Sequence, residues 1–294
     1  MEKTTKVNRQ LAMQICELAL KKDIEGLKAL NIKSEKKRDW GYFFEKFLYW
    51  LEKGGETPFT IIAKAGNKKL PFYAFSSLPK FDCPSAGDCL NFCYSFKAWR
   101  YPAAFFRQLQ NSILLRSALG RLKIAMEFRR IPQGKTLRLF VDGDFANITI
   151  LRFFMDLCKE REDLQVYGYS KSWALFLELS EKGYSFPSNY LLNLSSGSIH
   201  GEETRQQMEK LSFVRGDFVA VNVDKKWISS KAYQDKSNDG SKEYRKEVLE
   251  RLKEGWSGKT FACPGNCGNC MPKGEHACGS VKLASVRIGI GVHG

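Results

Sequence analysis

Seven cysteines in two loops are the residues of this chain best suited to chemistry. Cys83, Cys89 and Cys93 lie between Phe75 and Trp99, in the Pro- and Gly-containing stretch FSSLPKFDCPSAGDCLNFCYSFKAW. Three thiolates on one short loop after a strand can hold one face of a metal or iron–sulfur cluster, with a fourth position left open or given to a distant ligand. The competing reading is three buried free thiols, since cysteine is a favoured core residue. Against it, the loop is polar and turn-rich. A second set, Cys263, Cys267, Cys270 and Cys278, places four thiols within sixteen residues of a Gly/Pro-rich segment. That density is a metal signal, and His276 could replace one thiol if the metal is zinc. The other two cysteines, Cys16 and Cys158, sit inside helical apolar patterns and read as core.

The 294 residues carry a net charge of +15, with apolar and charged fractions ordinary for a globular protein. Such an excess points to an anionic partner, nucleic acid or a nucleotide, or else to a plainly basic surface. Residues 95 to 130 hold eight Lys/Arg and a single acid, Glu127. Arg116, Lys123 and Arg130 are seven apart, which predicts one shared helix face, either turned to phosphates or simply solvated. No apolar run of about 18 residues is present, so a membrane span and a signal peptide are not expected and the chain reads as cytoplasmic. Nine cysteines in that setting argue for metal rather than disulfides. The three histidines, His200, His276 and His293, are too scattered for the paired-histidine site of a replication nickase.

The elements that must position these residues follow from pattern. Residues 1 to 57 read as a helical appendage, with an aromatic helix over Trp40 to Leu51 (WGYFFEKFLYWL) whose stripe suits docking better than base stacking. Gly54-Gly55 ends it. A short strand over Thr60 to Ala63, a turn at Gly66 to Lys69 and a buried strand over Leu70 to Leu78 come next. After the cysteine loop and a long helical pattern, strands are expected at 137–141, 164–169, 190–194 and 218–223, and helices at 148–159, 173–182, 202–211 and 243–253. A polar, Lys/Ser-rich loop covers 225 to 240. This alternation predicts an α/β fold built on a parallel β/α barrel, partial or complete, over residues 58–256. The cysteine-rich segment, 257–294, closes it, its Ala284 to His293 run serving as a last strand. Asp142, Gly143, Asp144, Lys171, Ser195 and Asp224 fall just past strand ends, the edge where parallel β/α folds place their chemistry. Turn formation and helix capping would account for most of them equally well, though less so for Lys171.

Two resemblances add to this. Cys263-x3-Cys267-x2-Cys270 is similar in spacing to the cluster loop of radical S-adenosylmethionine proteins, yet it follows the last helix rather than the first strand. The early loop stands in the expected place, but has five residues between its first two cysteines where that pattern has three. Phe92 before Cys93 matches the aromatic of that pattern, and Asp142-Gly143-Asp144 sits where those proteins hold the methionine amino group. The runs CPSAGDCLNFCYSFKA, LRLFVDGDF, VYGYSKS and CPGNCGNC, in order over roughly residues 70 to 280, resemble the gene-product-88-like family of phage and plasmid proteins. Asp142 and Ser170 stand where that family carries Ser and Thr. The resemblance implies an iron–sulfur protein of a phage or mobile element with one or two [4Fe-4S] clusters, and S-adenosylmethionine as a candidate cofactor. Cys83, Cys89 and Cys93 would hold the catalytic cluster, and Cys263, Cys267, Cys270 and Cys278 an auxiliary one. Asp142, Gly143, Asp144, Tyr169 and Lys171 would bind the cofactor, with Asp144 and Lys171 closest to catalysis. The expected function is a radical-type enzyme acting on nucleic acid or a nucleotide. The alternative is a nucleic-acid-binding protein stapled by zinc or a closed cluster, without catalysis.

Overall fold

Along the strands of this protein apolar side chains alternate with polar and aromatic ones, and the two sets face opposite sides of one sheet. The computed structural model describes residues 8–64, 71–224, 239–265, 267, 270–271 and 276–291. Its strands are β1 (Tyr73–Ala74), β2 (Thr136–Leu139), β3 (Gln165–Ser170), β4 (Tyr190–Ser195), β5 (Val214–Val221), β6 (Thr260–Ala262) and β7 (Arg287–Gly291). They form one sheet in the order β1-β2-β3-β4-β5-β7-β6, with every neighbouring pair parallel. Beyond β1 the pairing continues through backbone bonds, Phe75 N–H to Arg138 O at 3.1 Å and Ser77 N–H to Asp142 O at 2.9 Å.

The outer face is apolar. Leu137, Leu139, Val166, Leu192 and Leu194 are buried there in the main core. The helices supply the other half of that core: α1 (Arg9–Lys21), α2 (Ile24–Ala29), α3 (Trp40–Lys53), α4 (Ser95–Ala98), α5 (Pro102–Leu115), α6 (Ala118–Arg129), α7 (Ile148–Glu160), α8 (Trp173–Glu181) and α9 (Glu202–Glu209). The aromatic stripe of α3 is a docking face, as its spacing predicts. Phe44 and Phe47 are buried, Trp40 lies 4.9 Å from Phe105, and Phe47 lies 5.4 Å from Phe106. Burying each such ring contributes on the order of 2–3 kcal/mol. Gly54 caps α3 at a φ of 76°. One continuous buried cluster therefore joins residues of α1 to α3 with the helices that cover the sheet. A final helix, α10 (Asp239–Lys253), packs Tyr244, Val248 and Leu252 on β5 and β7.

The inner face is different. Arg138 of β2, Tyr167 and Tyr169 of β3, Asn193 of β4 and Arg215 of β5 line a hollow. The described residues between β6 and β7 include some that pack on this face: Ala277 and Cys278 lie against Tyr167 and Ile288. Asn193 donates to Cys278 O at 2.8 Å, and Arg215 donates to Leu283 O at 2.9 Å and Val286 O at 2.7 Å.

Two expectations need correction, the barrel expected as partial or complete is seen without closure, and one strand was not expected. The strand order ends at β1 and β6, and no pairing joins these edges among the described residues, so a closed barrel is not seen. The region 95–130 is three helices, because Ser117 caps a new one by accepting from Gly120 N–H at 3.0 Å. Strand β5 starts four residues earlier than its apolar run suggests, through a register shift beside Gly216. Strand β6, only three residues long, has no counterpart in the sequence reading. The expected turn at 66–69 and most of the loop at 225–240 lie outside the described residues, as does His293.

Candidate functional site

The early cysteine loop is fixed to the C-terminal rim of the sheet by backbone bonds to the turn after β4. Gly87 N–H donates to Gly197 O at 2.9 Å and Ile199 N–H to Ser85 O at 3.1 Å, and Ala86 bridges Ser198. His200 Nε2 lies 3.0 Å from Ser85 Oγ. Gly197 has a φ of 75°, and a Cβ there would lie 2.8 Å from Cys89 Cβ. Only glycine allows the two loops to meet this closely. Burial pushes the Cys83 and Cys89 thiols above their ordinary range, an effect that the Lys171 ammonium beside them opposes. Cys83, Cys89 and Lys171 thus come together from two loops far apart in sequence.

The strand-end acids hold this rim in shape. Asp144 is buried and its carboxylate accepts three bonds: from Ser170 Oγ at 2.7 Å, from Phe145 N–H at 2.8 Å and from Lys171 N–H at 2.8 Å. It ties the end of β2 to the end of β3 and orients Lys171, whose Nζ donates to Ser195 Oγ at 2.8 Å. Asp142 is buried, and the polar side chains of Ser95, Ser76 and Gln108 beside it offset part of that burial. Burial raises both carboxyls above the usual carboxylate range. Between them Gly143 takes a φ of 80°, where a Cβ would fall 2.2 Å from Ser77 Oγ. Asp224 does not join this group. It is exposed beyond β5, and its N–H donates to Glu247 Oε1 of α10.

The late cysteines occupy the hollow. Cys263 follows β6, Cys267 packs with Ala63, Ala74 and Val141 beside β1, and Cys270 and Cys278 pack near Tyr167 and Tyr169. Two of the sulfurs accept backbone hydrogen bonds. Gly265 N–H donates to Cys263 Sγ at 3.4 Å and Ala277 N–H to Cys270 Sγ at 3.3 Å. Arg138 beside Cys267, and Arg215 and Tyr169 beside Cys278, oppose the effect of burial on those two thiols. Burial still leaves the Cys278 thiol high, at about 11. Arg138 lies between the two cysteine sets. Its guanidinium stacks 4.5 Å from the Tyr169 ring, and Nη2 is 3.4 Å from Oη of half-exposed Tyr94, which follows Cys93. Among the described residues, no three His, Cys, Asp or Glu side chains converge tightly enough to hold a single metal ion.

Sequence reasoning missed Arg138, Asn193 and Arg215. The signal was there: a charged or amide residue inside an apolar run (LRLFV, YLLNL), or one residue into a strand. The basic trio fares differently. Arg116 ends α5 and pairs with buried Asp82 at 2.8 Å, while Lys123 of α6 donates to Gly55 O at 2.6 Å. Arg130 caps α6 and pairs with Glu127. The three therefore share no single helix face, because the chain breaks at Ser117. Cys16 and Cys158 are fully buried, as their patterns predict. A cavity of about 550 Å³ opens at the opposite end of the sheet, lined by Glu162, Gln165, Asn189 and His276. It holds no thiol, and the residues gathered for chemistry lie at the rim and in the hollow.

No helix among the described residues is long and apolar enough to cross a membrane. No curated protein and no solved structure matches the chain. The family model for gene product 88 does match, over residues 50–277, well over half of the chain and including six of its seven loop cysteines. With that span of the sheet and both cysteine loops covered, the chain belongs to the gene product 88 family.

Proposed function

We propose that this gene product 88 protein, of phage or plasmid type, is an iron–sulfur enzyme of radical S-adenosylmethionine type that acts on nucleic acid or a nucleotide. One observation carries the reading: three thiols on one loop are tied to the C-terminal rim of an all-parallel sheet, next to a lysine held by a buried aspartate. Cysteine thiolates are the donor type that a [4Fe-4S] cluster takes. Three cysteines leave one corner uncommitted, which is what a cofactor offering an amino and a carboxylate group requires. One-electron chemistry is what such a cluster and cofactor supply when bound. The chain's own residues do the positioning. Cys83, Cys89 and Cys93 hold the cluster. Lys171 meets a carboxylate or phosphate, the charge-assisted bond a lysine makes best. Asp144 acts through Lys171 by fixing its backbone. Asp142 and Gly143 keep the ends of β1 and β2 together, and Tyr169 faces the hollow from β3.

A nucleic acid or nucleotide substrate is supported by the net charge of +15. Arg116, Lys123 and Arg130 contribute to that charge, but as separate positions and not as one stripe. The second reading is a nucleic-acid-binding protein in which zinc or a closed cluster is only a staple. The hydrogen-bonded late cysteines favour it for their own half of the molecule.

Anaerobic purification with iron, sulfide and zinc analysis tests the enzyme reading, followed by electron paramagnetic resonance of the reduced protein with and without S-adenosylmethionine. Iron and sulfide whose spectrum changes with the cofactor support it. A spectrum indifferent to the cofactor, or zinc alone, moves the assignment to the stapled binding protein. Nucleic-acid affinity that does not fall with added salt removes the phosphate-contact part of the reading.

A further inference from the structure

The chain just after the early cysteine loop turns aromatic and basic side chains to solvent together. Residues 94 to 101 run as helical turns: Lys97 N–H donates to Tyr94 O at 2.9 Å, Arg100 N–H to Lys97 O at 3.3 Å and Tyr101 N–H to Ala98 O at 2.9 Å. Side chains three and four apart therefore share a side. One side holds Ser95 and Trp99, both buried. The other holds Tyr94, Lys97, Arg100 and Tyr101, all exposed, the two tyrosines at 50% and 66%. Large apolar side chains left singly in solvent are ordinary. Here they are grouped, since exposed Ile199 follows the Ser198 bridge to the same loop and bonds Ser85 O through its N–H.

The cations of this turn have no acid nearby in the chain: no Asp or Glu occurs between Asp88 and Glu127. Arg100 makes no ion pair among the described residues, and its Nε donates to Lys97 O at 3.4 Å. Arg9 of α1 brings a third cation to the turn, its guanidinium 3.7 Å from the Phe96 ring. Tyr94 is held ready. Its hydroxyl donates to Val141 O and lies 3.4 Å from Arg138 Nη2, which fixes the ring while half of it stays open. A ring immobilised beforehand loses little conformational freedom when a flat partner covers it. Open rings beside cations suit an unpaired strand, whose bases stack on aromatic faces while its phosphates meet Lys and Arg. A duplex keeps its bases stacked on one another and leaves the tyrosines unused. An acidic polypeptide uses the cations alone.

We propose that Tyr94, Lys97, Arg100 and Tyr101 form a platform for single-stranded nucleic acid beside the early cysteine loop. Tyr94 and Tyr101 stack on unpaired bases, and Lys97 and Arg100 meet the flanking phosphates. The platform rests on the nucleic-acid part of the function proposed above and narrows it to a single strand; it does not depend on which metal the early loop takes. Cys93 directly precedes the platform, so a strand bound there is delivered to that loop.

Fluorescence anisotropy of the full chain with a labelled oligothymidylate tests this, with a duplex of equal length and poly-glutamate as competitors. We expect the single strand to bind about ten-fold tighter than the duplex. Tyr101→Ala, which removes an exposed ring, and Tyr94→Ala should each weaken binding about five-fold or more. Lys97→Ala with Arg100→Ala should flatten the slope of log affinity against log salt by about 1.4, two contacts at about 0.7 each. Arg129→Ala, a cation of α6 paired with Glu160, reports the effect of losing charge alone and should leave the stacking loss unreproduced. Binding by the parent that survives these substitutions, or a duplex held as tightly as the single strand, overturns the platform but leaves nucleic acid as the partner. Poly-glutamate that displaces the strand at equal concentration makes the surface one for acidic protein and overturns the platform too. A parent chain that binds no nucleic acid even at low salt overturns the broader reading as well.

Discussion

The early loop and the late segment both gather cysteines, but the surroundings of their sulfurs differ. Around Cys83 and Cys89 the neighbours are a lysine ammonium, a turn held by Gly197 and a half-exposed tyrosine at the mouth of the hollow. Around the late four, Cys263 and Cys270 accept backbone bonds, Arg138 lies beside Cys267, and Arg215 lies beside Cys278. The first arrangement leaves room for something to arrive; the second is packed against the inner face of the sheet. A site that must exchange ligands needs accessible, partly unsatisfied groups, whereas a site that holds a fold together gains from satisfying all of them.

The sharpest way to break this contrast is to remove each set in turn. Replacing the late cysteines with alanine should cost more than about 3 kcal/mol and raise hydrogen exchange at β6 and at the Ala63–Ala74 bridge. Replacing the early three should leave the denaturation midpoint nearly unchanged while abolishing any response to S-adenosylmethionine. Equal losses of stability from both would erase the distinction. Next in size is Gly143→Ala. A positive φ and a collision with Ser77 together should cost about 2–3 kcal/mol, measured by urea unfolding. Gly197→Ala is expected to be milder for stability, but should lower metal content at the early loop by displacing Cys89. Lys171→Ala should leave folding and metal intact and weaken cofactor or phosphate binding roughly ten-fold, about 1.4 kcal/mol. Unchanged binding in calorimetry would make this lysine a turn residue only.

The smallest effect is one of pH. Asp142 has its carboxyl pushed up by burial, so the folded state binds its proton more tightly than the unfolded one does. Stability from this group is therefore greatest at acid pH and falls as pH rises from the ordinary carboxylate range through the raised folded value. Asp142→Asn should then raise the melting temperature at pH 7.5 relative to the parent, with the gap closing near pH 4. A gap of the same size at both values would show that the carboxyl is not perturbed.

How much could be read in advance varies by element. Helices α7 and α8 and strands β3 and β4 lie within two residues of where their apolar patterns put them, because each buries one regular face against a neighbour. Strand β6 escaped because Thr-Phe-Ala is too short to carry a period. The break at Ser117 is hidden because the basic residues on either side continue a seven-residue spacing that ignores a cap. Arg138 and Arg215 stand inside strands, away from the strand ends where parallel β/α folds place their chemistry. A charge inside an apolar strand was itself the better clue, since burying one is tolerated only beside compensating groups.

The sequence by itself determined that strands and helices alternate, that the sheet is parallel, that α3 docks through its aromatic face and that seven cysteines fall in two loops. Those are matters of local period, capping and spacing, which each segment carries within itself. Only the tertiary structure decided that the late cysteines pack on the inner face of the sheet, that Asp144 and Asp142 are already engaged while Lys171 lies near the early thiols, and that Arg138 and Arg215 lie beside Cys267 and Cys278. These depend on contacts between residues tens to hundreds of positions apart. No local pattern encodes such contacts, because side-chain charge and hydrogen-bonding capacity acquire partners only once the strands are laid side by side.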